Sequence, residues 1–367
     1  MALSIGIVGL PNVGKSTTFN ALVKEQNAQA ANYPFCTIEP NRAIVPLPDS
    51  RVAKLAAIVH PERTVYSTVE FTDIAGLVRG ASKGEGLGNK FLSNIRECEA
   101  ILHVVRCFED ENVASVDGGI DPIRDIETIE TELILADIET LERRIEALSR
   151  LAKGNDKDAK AQLNVAEALL EHLNGGKSAA VFTSTDKRAL EKLFEEVRLL
   201  SQKQVIYAAN VNEASIGGNN AFVESVRRCA ADRGSEAIVI CSKTEEEMSG
   251  FTVEERAEMC AALGIAENGL DQIIRKSFEI LGLASYFTAG PKEVRSWTIC
   301  KGWKAPKAAG VIHSDFEKGF IRAEVISFDD YVRLGGESKA REAGLTRLEG
   351  KDYVVQDGDI MHFRFNV

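Results

Sequence analysis

Short, nearly unbroken apolar runs recur along the chain at residues 5–8, 69–72, 101–105, 205–208 and 237–240, separated by helical patterns. Runs of this length, rich in Val and Ile, predict central strands of a mostly parallel sheet covered by helices on both faces. The alternation breaks between about residues 125 and 200. There Ile134, Ile138, Leu141, Ile145 and Leu148 recur at 4-3-4-3 spacing among charged neighbours, which makes a narrow apolar seam on a long helix. A breaker cluster at residues 153–156 follows, then a second pattern with Ala166, Leu170 and Leu173 that stops at Asn174-Gly175-Gly176, and a third with Leu190, Leu193, Val197 and Leu200. This reads as a helical hairpin or small coiled coil inserted into the sheet domain, or else as helices packed on the main core. From about residue 284 the texture changes to short strand-like pieces at 296–299, 323–326, 353–355 and 360–363, the mark of a compact α+β module. The expected organisation is therefore an α/β domain with a mostly parallel sheet at 1–124 plus 201–283, a hairpin at 125–200 and a final module at 284–367.

Composition narrows the setting. With 367 residues, 44% of them hydrophobic, the chain can bury two or three cores unaided. Its seven cysteines are scattered and never in Cys-x-x-Cys spacing, which argues against a disulfide framework or a zinc site, and its five histidines share no ligand spacing. No run approaches about 18 apolar residues, and Met1-Ala2-Leu3-Ser4 carries no export leader, so a cytoplasmic protein without a membrane contact is expected. A net charge of −11 disfavours DNA and leaves room only for a local nucleic-acid contact.

Three segments carry chemistry. Gly9-Leu10-Pro11-Asn12-Val13-Gly14-Lys15-Ser16-Thr17 matches G-x-x-x-x-G-K-[ST] directly after a predicted strand and before a predicted helix. In that setting the backbone of Asn12, Val13 and Gly14 wraps phosphates, Lys15 supplies a cation, Ser16 offers a hydroxyl to magnesium, Thr17 completes the motif, and the helix start favours anions. Asp73-Ile74-Ala75-Gly76 ends a strand, where the D-x-x-G element of switch hydrolases belongs; Asp73 would hold magnesium and Gly76 would face the γ-phosphate. Between them, Thr37 is the candidate switch threonine that completes the magnesium shell, and the glycines at 76, 80, 84, 86 and 88 suit a loop that orders around a γ-phosphate.

At these residues the chain resembles the YchF, or Obg-like ATPase, family. The likeness rests on residues 9–17, on Asn-Tyr-Pro-Phe-Cys-Thr-Ile-Glu-Pro-Asn at 32–41, and on Asp-Ile-Ala-Gly-Leu-Val-Arg-Gly-Ala-Ser-Lys-Gly-Glu-Gly-Leu-Gly-Asn at 73–89. It extends to residues 286–290 and 315–323, which resemble that family's C-terminal TGS domain, a β-grasp fold. The resemblance implies ATP as the preferred nucleotide, ribosome association, with the large subunit or its RNA as contact, and a part in translation or stress regulation.

Guanine readers carry Asn-Lys-x-Asp; this chain has Asn210-Val211-Asn212-Glu213 after the strand at 205–208. The Lys is lost and the acid is one methylene longer, so guanine reading should suffer. An amide such as Asn210 can engage adenine N6 and N7, Val211 can line the base pocket, and Ser242 would close it. The residue after Gly76 is Leu77, where a Ras-type enzyme places the water-orienting Gln, and residues 112–117 hold no histidine. The water-positioning group is unassigned, and turnover on the order of 10⁻⁴ to 10⁻² per second is expected of such an unassisted switch. Asn12 is also a candidate ligand for a monovalent cation such as potassium. Lys292, Arg295, Lys301, Lys304 and Lys307 cluster in the final module and suggest a local basic face toward RNA. The function expected is a slow magnesium-dependent ATP switch; the alternatives are an Obg-type GTPase and a ribosome-binding regulator that signals by nucleotide occupancy.

Overall fold

The computed structural model describes residues 3–28, 41–74, 87–110, 119–154, 156–217 and 220–366. In chain order the elements are β1 (Ser4–Val8), α1 (Lys15–Ala28), β2 (Arg42–Pro46), α2 (Ser50–Val59), β3 (Arg63–Val65), β4 (Thr68–Asp73), α3 (Leu87–Glu97) and β5 (Ala100–Arg106). Three helices follow, α4 (Pro122–Lys153), α5 (Lys157–Asn174) and α6 (Lys187–Val197), then β6 (Gln204–Asn210), α7 (Ala221–Asp232), β7 (Glu236–Ile240), α8 (Ser242–Met248), α9 (Val253–Ala262) and α10 (Gly269–Ile280). The last stretch holds β8 (Leu283–Ala289), β9 (Glu293–Cys300), α11 (Ala305–Gly310), α12 (Ser314–Lys318), β10 (Phe320–Ile326), α13 (Phe328–Leu334), α14 (Glu337–Glu342), β11 (Arg347–Glu349) and β12 (Ile360–Phe365). The chain divides into two compact units, one of Met1–Leu22, Pro40–Arg42 and Phe71–Leu270, the other of Val23–Glu39, Ala43–Glu70 and Asp271–Val367.

The first unit is built on the parallel strands that the apolar runs predict. β1 pairs with β5, β5 with β6 and β6 with β7, all parallel, and the end of β4 lies on the far side of β1. Every residue of β1 and β5 is buried, as expected of strands covered on both faces. All four parallel strands therefore present their carboxyl ends along one edge, where open α/β sheets hold ligands.

The hairpin is present in this unit with its own core. Ile134, Leu141 and Leu148 of α4 are buried against Ala166, Leu169 and Leu173 of α5 and Leu193 of α6, with Ile138 and Ile145 packed at the margin. The predicted seam is the observed one. Asp121 caps α4 by accepting the Arg124 N–H, Pro122 takes the first turn where its missing N–H costs nothing, and Gly154 ends the helix after 32 residues, about 48 Å of rise. Where the hairpin returns, the Asp137 carboxylate, with no solvent exposure, accepts the main-chain N–H groups of Leu200 and Ser201, each at 2.7 Å.

The second unit holds a six-stranded sheet of order β11-β10-β12-β8-β9-β3. One face covers Tyr286, Ile299, Val325 and Phe363; the other covers Phe287, Val294, Ile326 and Ile360 together with Val52 and Leu55 of α2. Residues 43–70 fall in this unit, β3 joining the sheet by pairing parallel with β9 and the buried Ser67 hydroxyl lying 3.0 Å from Ser285 Oγ and 2.7 Å from Ser296 Oγ. The apolar run at 353–355 forms no strand; Val354 makes a single bridge to Lys304.

Candidate functional site

The loop after β1 is shaped by two glycines. A Cβ on Gly9 would stand 2.8 Å from the Val104 carbonyl oxygen, so only glycine lets the chain leave β1 against β5. Gly14 has a φ of +97°, and a Cβ there would lie 2.1 Å from Asn210 Nδ2. Asn12 also takes positive φ, at 63°, which Asn tolerates better than most side chains. The helix α1 then starts at Lys15, so its free N–H groups and the positive end of its dipole face the loop.

Lys15 and Asp73 meet at this loop. The Lys15 ammonium donates directly to Asp73 Oδ1, and both side chains are largely withdrawn from solvent. Asp73 is held in place by its own N–H, which donates to the Asn41 carbonyl at 2.8 Å, and by the following Ile74, whose N–H bonds to Ile7 and whose side chain is fully buried. Ser16 is exposed beside them. A cation, a carboxylate and a free-standing hydroxyl at a helix start are the groups that a phosphate chain with a hard divalent ion requires.

A buried polar ring lies behind the loop. Asn210, at the end of β6 and 4% exposed, donates from Nδ2 to the Val13 carbonyl at 2.8 Å and accepts the Ser242 N–H on Oδ1 at 2.9 Å. Ser242 Oγ lies 2.8 Å from Thr18 Oγ1, and Thr18 donates to the Gly14 carbonyl at 3.0 Å. Each polar atom of Asn210 is thus already engaged once, which leaves one N–H and one lone pair for a base. The Val211 side chain is buried with Val105, Tyr207 and Cys241 in the core rather than at the surface, while its N–H donates to the Ile240 carbonyl at 2.8 Å. Glu213 opens a short 3-10 turn and is exposed.

A profile described as "50S ribosome-binding GTPase" matches residues 4–138, and one for the YchF GTPase C-terminal region, described as a protein of unknown function, matches residues 283–366. A Bacillus subtilis protein named "Ribosome-binding ATPase YchF" is 54% identical over 369 residues, covering 100% of both chains, and its Haemophilus influenzae namesake is 55% identical over 368 residues with the same coverage. The chain belongs to the YchF family. A solved structure described as that of the Schizosaccharomyces pombe YchF GTPase has 38% identity and a TM-score of 0.89, covering 99% of this chain and 97% of that one.

Of the residues expected in a YchF nucleotide site, the structure brings together Val13, Gly14, Lys15, Asp73, Asn210 and Ser242, and sets Asn12, Ser16 and Thr17 on the same loop and helix start. Thr37 and Gly76 lie outside the described residues, as do the glycines at 80, 84 and 86. Sequence reasoning missed Thr18. The available signal was a hydroxyl one helical turn after Gly14, a spacing that places it over the loop carbonyl.

Proposed function

We propose that this chain is a magnesium-dependent ATP hydrolase that works as a slow nucleotide-operated switch on ribosomes in the cytoplasm. The observation that carries the reading is the convergence of Lys15 and Asp73 at a glycine loop opening α1. The relatives named ribosome-binding ATPases, more than half identical over their whole length, support the choice of ATP and of the ribosome. Ser16 and Asp73 would hold magnesium, with Thr37 joining when a γ-phosphate is present; the fit rests on hard oxygen donors beside a cation that already compensates the carboxylate. When bound, the ion neutralises charge on the β- and γ-phosphates. Lys15 pairs with the same phosphates and must leave Asp73 to do so. Asn12 would offer a site for potassium.

A three-part division, with the hairpin at 125–200 and a β-grasp module from 284, supports separate tasks for nucleotide, hairpin and ribosome contact. In the last module Lys292 and Lys301 are exposed, whereas Lys304 pairs with Asp352 at 2.6 Å, and Arg295 and Lys307 lie over the rings of Trp297 and Trp303 at 3.9 and 4.1 Å. The planar Arg295 guanidinium suits stacking on an exposed base and the Lys307 ammonium suits phosphate contact, which favours ribosomal RNA; the wording of the 4–138 profile points to the large subunit.

A GTPase is the second reading, favoured by the wording of the 4–138 profile and of the fission-yeast structure. Binding and turnover of ATP and GTP, with and without magnesium, potassium and ribosomes, decides between them. ATP should bind at least tenfold tighter than GTP and turn over only with magnesium; equal or tighter GTP binding ends the ATP reading. Lys15→Ala should lose both nucleotide and nucleotide-dependent ribosome sedimentation. If it loses nucleotide yet sediments with ribosomes as the wild type does, hydrolysis is not what drives the contact.

A further inference from the structure

The ring behind the phosphate loop has a direction. The Ser242 N–H can only donate and the Val13 carbonyl can only accept, so the carboxamide of Asn210 is fixed with Oδ1 toward Ser242 and Nδ2 toward Val13. Thr18 has a single hydroxyl proton; spent on the Gly14 carbonyl, it leaves Ser242 Oγ as donor to Thr18 Oγ1. Two relays therefore leave Ser242 and end on consecutive carbonyls of the loop, Val13 through Asn210 and Gly14 through Thr18. The three side-chain residues of the ring are 1%, 4% and 3% exposed for Thr18, Asn210 and Ser242.

In a trans peptide the C=O of one residue points opposite to the N–H of the next. Holding the carbonyls of Val13 and Gly14 toward Asn210 and Thr18 therefore aims the N–H groups of Gly14 and Lys15 away from the buried ring, toward the side of the loop where phosphate oxygens belong. The Gly14 carbonyl is also held by the Thr18 main-chain N–H at 2.9 Å, so the hydroxyl of Thr18 adds a second donor to that carbonyl and ties Ser242, whose main-chain N–H holds Asn210, to the start of α1.

We infer that Thr18 and Ser242 are positioning residues for phosphate binding, acting as one buried hydroxyl pair that keeps the Gly14 and Lys15 amides turned to the ligand. The inference rests on the nucleotide-binding reading above. The test is a cycle of Thr18→Val, Ser242→Ala and the double variant in the full chain, read by equilibrium affinity for ADP, ATP and GTP. Each single change should weaken ADP and ATP three- to tenfold, the double change should weaken them no further, and Thr18→Ser should restore the wild-type affinity. For the Thr18 variants the ATP-to-GTP affinity ratio should stay at the wild-type value, because the hydroxyl bears on the phosphates and not on the base. Losses that multiply in the double variant, wild-type affinity in both single variants, or a changed ratio in Thr18→Val each overturn it. Should Thr18→Val fail to fold, Ser242→Ala keeps the main-chain donor to Asn210 and carries the same prediction. A wild-type chain that binds no nucleotide defeats the proposed function; a binding-competent wild type with unaffected variants defeats only this inference.

Discussion

Two polar groups in the nucleotide-binding unit are almost equally hidden, and they are held in opposite ways. Asn210 is neutral and sits in a ring of hydroxyls and carbonyls at the strand ends, whereas Asp137 is a carboxylate closed off between the N–H groups of Leu200 and Ser201 at the root of the hairpin. Burial pushes the Asp137 carboxyl above its ordinary range despite those two bonds, so the desolvation of the charge outweighs the hydrogen bonds it receives. The comparison teaches that the hairpin root is built for permanence, since removing either side strands buried polar groups, while the phosphate loop is backed by neutral bonds that can reorganise at modest cost.

Asp137→Ala breaks the permanent side of the comparison. With two buried N–H groups left without an acceptor, stability should fall by about 3–5 kcal/mol in urea unfolding, while nucleotide affinity of the remaining folded protein stays within about twofold. A small loss of stability with a large loss of affinity would reverse the assignment of roles.

Asn210→Asp attacks the neutral ring by setting an acceptor oxygen against the Val13 carbonyl. The expected cost is about 2 kcal/mol, read chiefly as a loss of ADP and ATP affinity of tenfold or more by fluorescence titration. If stability falls while affinity holds, the ring is structural only.

His103 sharpens the contrast with a buried base beside which no acid stands among the described residues. It is 3% exposed, its ring centroid stands 5.7 Å from that of Tyr207, and burial, with the nearby Arg233 charge, lowers its pKa to about 3. In the window between about 3 and its ordinary value near 6.5, the unfolded chain binds the proton and the native one does not. The stability it contributes is therefore full above pH 6.5 and is lost as pH falls through that window, with a slope of at most about 1.4 kcal/mol per pH unit. Unfolding midpoints of His103→Phe against wild type from pH 7 to 4 should diverge by that slope; parallel curves would show a protonatable histidine.

The smallest effect is expected on the hairpin surface. Lys192 and Asp158 form an exposed pair at 2.5 Å, and the Asp158 carboxyl lies below its ordinary range through that hydrogen bond and charge. Solvent screens such pairs, so Lys192→Ala should leave the urea midpoint within error at 0.15 M salt; a clear shift would mean that the hairpin depends on its surface ions.

Much of this was open to view in the residue pattern. The parallel strands, the limits of α4 and α5 at Lys153 and Asn174, and the seam through Ile134, Leu141 and Leu148 follow from period, breakers and caps, all short-range consequences of side-chain size and backbone freedom. The stretch at 43–70 was not legible: α2 and β3 are short, and what stabilises them is contact with Phe287 and Val294 and pairing with β9, more than 200 residues away.

By itself, then, the sequence determined a phosphate loop after an apolar strand, an acidic partner at Asp73 and a hairpin between two breaker clusters, because each is written in consecutive residues. Only the tertiary structure decided that Thr18 reaches Ser242, that Asn210 spends its amide on the loop rather than waiting free, and that Asp137 closes the hairpin. Those pairings span 224, 197 and 63 positions, and a hydroxyl, an amide or a carboxylate bears no local sign of which distant backbone it will meet.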